Sequence, residues 1–247
     1  MKSYIICATP RTGSTLLCDL LTATKTCGAP DSFFMANADP HWLKAWGMPV
    51  EGDPADPGYC ADMLKGAVTA GKGGTDVFGL RLMRSDLPAL SSMIAAVHSG
   101  LKSDTERLAA AFGDVLYIHL RREDKLAQAV SLVKAEQTGL WHVAPDGTEV
   151  ERLAPPAEPV YDHARIAAKL ANLEADDATW TDWFDAQQIR PLSIGYENLA
   201  AHPQKELTRI CTRLSVPPPK SVKANLAKMA DAVSEDWIRR FREEAGA

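Results

Sequence analysis

Apolar positions along the chain change period in a regular way, from short unbroken runs to stretches that repeat every three or four residues. The unbroken runs, at about 2–8, 77–82, 115–121 and 190–195, read as buried strands. The repeating stretches, at about 14–24, 85–97, 123–138, 162–187, 200–214 and 220–244, read as helices. Alternation of this kind predicts an α/β fold, a parallel sheet flanked by helices on both faces. Ligands of such sheets sit beyond the carboxyl ends of the strands, so chemistry is expected in the residues that follow each strand. Two Gly- and Pro-rich stretches, 47–74 and 141–159, have few periodic apolar positions and read as long loops over a pocket. No internal repeat, low-complexity tract or heptad pattern interrupts this order.

The first strand runs into Thr9-Pro10-Arg11-Thr12-Gly13-Ser14-Thr15 and at once into a helix with Leu16, Leu17, Leu20 and Leu21 on one face. A helix that starts on such a loop offers unpaired backbone N–H groups and the positive end of its dipole to an anion, which marks a phosphate cradle and hence a nucleotide ligand. A nucleoside triphosphatase loop would read G-x-x-x-x-G-K-[ST]; here Ala8 stands at the first glycine and Ser14 at the lysine. Triphosphate chemistry therefore loses support. What remains is Arg11, two residues before the glycine, followed by small hydroxyl residues that fit around a tetrahedral anion.

A second strand delivers Arg121-Arg122 to a helix that opens with Glu123 and Asp124 and turns Leu126, Ala129, Val130 and Val133 inward. A third segment, Pro191-Leu192-Ser193-Ile194-Gly195-Tyr196-Glu197-Asn198-Leu199, is a short strand closing on Tyr-Glu-x-Leu with Pro203 beyond it.

Together with the GAPDSFF stretch at 28–34, GLRLM at 79–83, a helical tract around 175–184 with Trp180 and Trp183, and MADAVSEDWIRRF at 229–241, these segments resemble the trehalose 2-sulfotransferase family. The likeness covers nearly the whole chain. It implies a sulfotransferase with a P-loop-like nucleotide-binding fold, one domain over residues 1–247, and 3′-phosphoadenosine-5′-phosphosulfate as donor. The product would be 3′-phosphoadenosine-5′-phosphate. The resemblance makes Arg11, Thr12, Gly13, Ser14 and Thr15 the 5′-phosphosulfate loop, and Arg122 with Ser131 the holders of the 3′-phosphate. That pair is spaced one residue more widely than in common cytosolic sulfotransferases, so Arg121 competes with Arg122. A homodimer is also implied, as is a small-molecule or glycolipid acceptor carrying the hydroxyl.

Three departures from the family pattern fall on the acceptor side. Where the family shows a glutamate as general base, this chain reads Gly28-Ala29-Pro30-Asp31-Ser32-Phe33-Phe34, with Ser32 at the glutamate. A serine hydroxyl cannot take the acceptor's proton unaided. Asp31 is next door, but successive side chains of an extended segment point to opposite sides. The family's Gly-Lys-Leu-Met has Arg81 at its lysine and Arg84 at the tryptophan that follows, and its Arg-Gln-Ala-Asp tract carries Lys228-Met229 here. Arg11, Asp31, Ser32 and His41 are accordingly the candidate catalytic residues.

Composition fits this picture. With 247 residues, 46% hydrophobic and 24% charged, the chain can bury a substantial core. A net charge of −5 without a basic stripe argues against nucleic acid as a partner. No leader-like start and no apolar run of bilayer length is evident, so a cytoplasmic enzyme without a transmembrane segment is expected. Cysteines 7, 18, 27, 60 and 211 are odd in number and lack C-x-x-C spacing, which argues for inert core thiols rather than disulfides or a metal site. Among the six histidines, His119 reads as a core residue, while His41 and His142 each adjoin a tryptophan in a segment that reads as a loop or helix end and are candidates for a site. Arg239, Arg240 and Arg242 read as the solvated face of an amphipathic helix.

The expected reaction is in-line transfer of a sulfuryl group to a hydroxyl without a metal, Arg11 and the loop amides meeting the charge that develops on the leaving phosphate. Two alternatives stay open at this point, a P-loop nucleotide kinase and a cofactor-binding homologue that has lost catalysis.

Overall fold

The run Lys2–Ala8 is buried from Ser3 onward on both faces of its strand, the pattern of a central strand in a parallel sheet. In the computed structural model, which describes residues 1–36, 38–222 and 231–246, this strand (β1) is joined on one side by β2 (Val77–Met83). On its other side lies β3 (Asp114–Arg121), followed by β6 (Leu192–Gly195). All pairs are parallel and the order is β2-β1-β3-β6. Chain direction across the sheet reverses between β1 and β3, so a crevice opens at the carboxyl ends of those two strands.

Alternate residues of the strands feed two separate cores. Ile5, Cys7, Phe78, Leu80 and Leu82 point to the face covered by α3 (Pro57–Lys72), α4 (Leu87–Val97), α5 (Asp104–Phe112) and the end of α7 (His163–Ala186). Tyr4, Ile6, Ile118, Leu120 and Ile194 point to the other, covered by α1 (Ser14–Ala23), α8 (Tyr196–Ala201) and α9 (Pro203–Leu214). A third cluster is helical, where α6 (Lys125–Thr138) packs on the first half of α7 and on α10 (Ala232–Ala245) through Val130, Val133, Ile166, Leu173, Trp237 and Phe241.

The strands and most helices lie where the apolar pattern predicts them. The long loops do not. Within 47–74 runs α3, started by the Asp56 side chain accepting from Tyr59 N and by Pro57. Its glycines are packing contacts rather than breakers: a β-carbon on Gly71 would lie 2.5 Å from the ring of Phe78 and 2.7 Å from Gly79 O. Within 141–159 stands a hairpin of β4 (Leu140–Val143) and β5 (Glu149–Arg152). Helix α5, begun by a Ser103/Glu106 capping box, was not anticipated either. Of the helix expected at 220–244, residues 232–244 are in α10; Lys228 and Met229 lie outside the described residues. Pro203 divides the stretch expected at 200–214 into α8 and α9. The five cysteines are buried and form no disulfide, and among the described residues no helix is long and apolar enough to cross a membrane.

The 24-residue α7 spans two of these cores. Its Trp180, fully buried, donates from Nε1 to Ala8 O at 2.9 Å, pinning the last residue of β1. One turn earlier, buried Asp177 accepts from Arg121 Nε at 3.0 Å and meets Lys125 Nζ at 3.1 Å and His119 Nε2 at 3.3 Å. Burial alone would raise this carboxyl, but His119, Lys125 and Arg121 outweigh it and hold it well below the usual carboxylate range.

A carboxyl depressed on folding stabilises the fold above its unfolded value of about 3.9 and loses that contribution as pH falls through the folded value. Asp177→Ala should therefore cost about 3 kcal/mol at neutral pH, since it leaves Lys125 facing a buried gap. Denaturant titration should also show a shallower loss of stability below about pH 4 in the variant. A midpoint equal to the wild type's would show that the cluster does not brace β3 against α7.

Candidate active site

Beyond Ala8 the backbone turns left-handed twice, at Arg11 (φ 62°) and Gly13 (φ 81°). Only glycine suits the second position, because a β-carbon there would lie 2.4 Å from the ring of Tyr196. Thr12 Oγ1 donates to Thr9 O at 2.9 Å and closes the turn. From α6, fully buried Gln128 donates to Thr9 Oγ1 at 2.9 Å and to Pro10 O at 2.6 Å, fixing the loop from behind. No side chain caps α1 at Gly13, so its first-turn N–H groups open on the cavity.

That cavity, about 770 Å³, occupies the crevice at the strand ends. Arg11 crosses it, donating from Nε to Ser131 Oγ at 3.0 Å and from a terminal nitrogen to Trp141 O at 2.7 Å. Arg122, from the end of β3, lies over the ring of Tyr196 at 4.8 Å and donates to Arg11 O at 3.2 Å. Its Nε is buried with no hydrogen-bond partner. Burial first, and then the charge of Arg122, lower the Arg11 guanidinium to about 10, against the pull of Glu151 and Tyr196. Arg11 still carries its full charge at neutral pH. Two neighbouring guanidiniums, one with a buried orphan donor, beside an uncapped helix start, fit a ligand with more than one anionic group.

A third arginine faces the same space. Arg81 donates to Ser32 Oγ at 2.7 Å, to Thr15 Oγ1 at 2.7 Å and to Asp31 Oδ1 at 3.2 Å. Both hydroxyls act as acceptors here and keep their protons to donate to a ligand. Asp31 turns back on its own segment, where it also accepts from Ser32 N at 2.8 Å.

Over the mouth stands the β4–β5 hairpin. His142 and Glu151 are cross-strand partners, with Nδ1 and Oε2 2.5 Å apart, and both line the cavity. The hydrogen bond to His142 lowers the Glu151 carboxyl, burial opposes it, and Arg81 and Arg11 add to the lowering. Met35, Trp42, Asp86 and Asp176 complete this end, and burial raises the carboxyls of Asp86 and Asp176.

Of the residues singled out in the sequence, the cavity gathers Arg11, Gly13, Ser14, Thr15, Ser32, Arg122, Ser131 and His142. It does not gather Thr12, whose hydroxyl is spent within the loop, or Asp31. Arg121 extends to the other side of β3 and pairs with Asp177, which separates it from Arg122 as strand alternation requires. His41 is exposed on α2 (Pro40–Ala45), and its neighbour Trp42 reaches the cavity instead. Three participants went unassigned in the sequence: Tyr196, read only as part of a weak motif, Arg81, read only as a departure, and Glu151. For Glu151 the signal was present, since apolar and polar residues alternate on both sides of the Pro145-Asp146-Gly147 turn.

A model of the Stf0 sulphotransferase family matches residues 3–244. The trehalose 2-sulfotransferase of Mycolicibacterium smegmatis is 28% identical over 265 aligned residues, covering 98% of this chain and 95% of that protein. The trehalose 2-sulfotransferase of Mycobacterium tuberculosis is 28% identical over 271, covering 99% and 96%. Among solved structures, the sulfotransferase domain from the curacin biosynthetic pathway superposes with a TM-score of 0.51 at 13% identity, covering 100% of this chain and 98% of that one, a likeness of fold alone. With a family match over nearly its whole length, the chain belongs to the Stf0 sulphotransferase family and is a sulfotransferase.

Proposed function

We propose that this sulfotransferase takes its sulfuryl group from 3′-phosphoadenosine-5′-phosphosulfate and passes it to a hydroxyl of a carbohydrate or glycolipid. The observation that carries the donor is the pair Arg11 and Arg122 beside the uncapped start of α1, with the buried Nε of Arg122 unpartnered. A donor with anionic groups at both the 5′ and 3′ positions gives that Nε an acceptor and meets the charge of both guanidiniums. Bound there, it contributes an activated sulfuryl group on a phosphate leaving group.

The chain's own residues do the rest. Arg11 and the first-turn amides of α1 meet charge that develops on the leaving phosphate, in a site where such donors need no reorganisation. Arg122 and Ser131 hold the 3′-phosphate, Tyr196 keeping the guanidinium in place from below. Thr15 and Ser32, both anchored by Arg81, orient sulfuryl or acceptor oxygens. The carbohydrate reading is supported by the two trehalose 2-sulfotransferase relatives and by Trp42, Asp86 and Asp176, an aromatic face and two carboxyls of the kind that bind sugar hydroxyls. The kinase alternative falls away with family membership and with Ser14 at the lysine position.

Arg11→Ala should lower sulfuryl transfer by about 10²–10³-fold, the usual effect of removing one donor from a developing oxyanion. Binding of 3′-phosphoadenosine-5′-phosphate, followed by calorimetry, should fall much less. Equal losses in rate and binding would remove Arg11 from the transition state. Arg122→Ala should weaken the same nucleotide by about 10–100-fold, the worth of a charge-assisted hydrogen bond. Adenosine-5′-phosphosulfate, which has no 3′-phosphate, should bind the variant nearly as well as it binds the wild type. Parallel weakening of both nucleotides would show that Arg122 holds some other group.

A further inference from the structure

Proton removal from the acceptor has no group at the position where the family carries one. Ser32 fills that position, and its Oγ already accepts from Arg81. Asp31 is paired with Arg81 and does not reach the cavity, and neither does His41. Of the other titratable groups that line the cavity, Glu136 is held by Arg165 and Lys169 and Glu235 lies in the first turn of α10, which leaves the His142–Glu151 pair and the carboxyls of Asp86 and Asp176.

We propose that His142, oriented by Glu151, is the base that takes the proton of the acceptor hydroxyl. This rests on the donor and acceptor classes proposed above. The arrangement is that of a base with its orienter: Glu151 Oε2 engages Nδ1 at 2.5 Å, which leaves Nε2 as the nitrogen for a substrate. The pair is not loosely hung. Arg152 binds Thr138 O at 2.6 Å, Leu153 N binds Gly139 O at 2.8 Å, and Arg11 binds the carbonyl of Trp141, the residue before His142. That last contact ties the base to the arginine of the phosphosulfate loop, whereas Asp86 accepts from Ala36 N at 3.4 Å and Asp176 lies on α7. The charged groups that act on Glu151 are Arg81 and Arg11, and the same cavity is lined by Arg122, Asp86, Asp176, Glu235 and the paired Glu136 and Lys169. The hydrogen bond with His142, with Arg81 and Arg11 adding to it, keeps Glu151 ionised, and an ionised Glu151 stabilises the imidazolium that forms.

In the step, the acceptor O–H bond breaks, its proton goes to Nε2 of His142 and its electron pair forms the new bond to sulfur. The bond from sulfur to the bridging phosphate oxygen breaks, and its electrons go to the phosphate. The products are a sulfate ester, 3′-phosphoadenosine-5′-phosphate and an imidazolium that returns its proton to water.

The test compares wild type, His142→Gln and Glu151→Gln, using labelled donor with trehalose and a panel of other mono- and disaccharides. Melting curves establish that each variant is folded, and calorimetry measures its affinity for 3′-phosphoadenosine-5′-phosphate. His142→Gln should lose about 10²–10⁴-fold in kcat/KM while nucleotide affinity stays within about threefold, and the acid limb of the pH profile should vanish. Glu151→Gln, which keeps the partner's shape but not its charge, should lose about 10-fold or more in kcat with little change in KM or nucleotide affinity, and Glu151→Asp should recover part of that loss. A His142→Gln enzyme that keeps its rate and its acid limb overturns the proposal and returns the role to Asp86 or Asp176. Loss of rate and nucleotide affinity together overturns it in favour of a purely structural hairpin. Absence of both nucleotide binding and transfer in the wild type overturns the donor and acceptor reading itself, and the proposal with it.

Discussion

Two guanidinium groups held side by side at the ends of adjacent strands repel each other, and much of the surrounding structure serves to keep them there. Parallel pairing of β1 with β3 sets the distance between Arg11 and Arg122. Tyr196 supports one, Ser131 and the Trp141 carbonyl engage the other, and Gln128 holds the loop between them. Glu197 accepts from Glu123 N at 3.1 Å and so fixes the turn that carries Arg122 into α6. Burial, more than the charge of Arg122, lowers Arg11 to about 10, so this guanidinium stands largely shielded from water. A charge held in a shielded cradle acts strongly on an anionic nucleotide, which is why the cradle needs no lysine of the triphosphatase kind.

Positive charge is also sorted by sidedness. Arg121 and Arg122 are neighbours in sequence, yet one is drawn to buried Asp177 and the other to the cavity. Strand alternation imposes that choice, and α7 makes it irreversible by supplying the carboxylate on only one side. The same helix pins Ala8 through Trp180, so the register of the phosphate loop depends on a residue far away in sequence.

The strands and the phosphate loop were legible because their signals are local: a buried apolar run, a glycine that must be left-handed, an uncapped helix start. The stretches read as loops were misjudged because glycine was taken only as a breaker. In α3, Gly71 is there so that Phe78 can approach, and nothing in the sequence alone distinguishes that use from a turn. The acceptor side was harder for another reason. His41 and His142 look alike in sequence, each beside a tryptophan, and only the hairpin register opposite Glu151 separates the exposed one from the one in the cavity.

The two halves of the site also differ in how freely they can change. A phosphate cradle depends on backbone amides and on φ values, so Gly13 and its neighbours admit little substitution once Tyr196 packs on them. A proton acceptor only has to reach the hydroxyl from some direction, and the hairpin provides a direction that the 28–34 segment does not share. With serine at position 32, Arg81 is engaged by two hydroxyls, Ser32 and Thr15, and one carboxylate, Asp31, and its charge adds, after the His142 hydrogen bond, to the lowering of Glu151. The departures at 32 and 81 therefore touch each other through one hydrogen bond, and a change at either is felt by its neighbour.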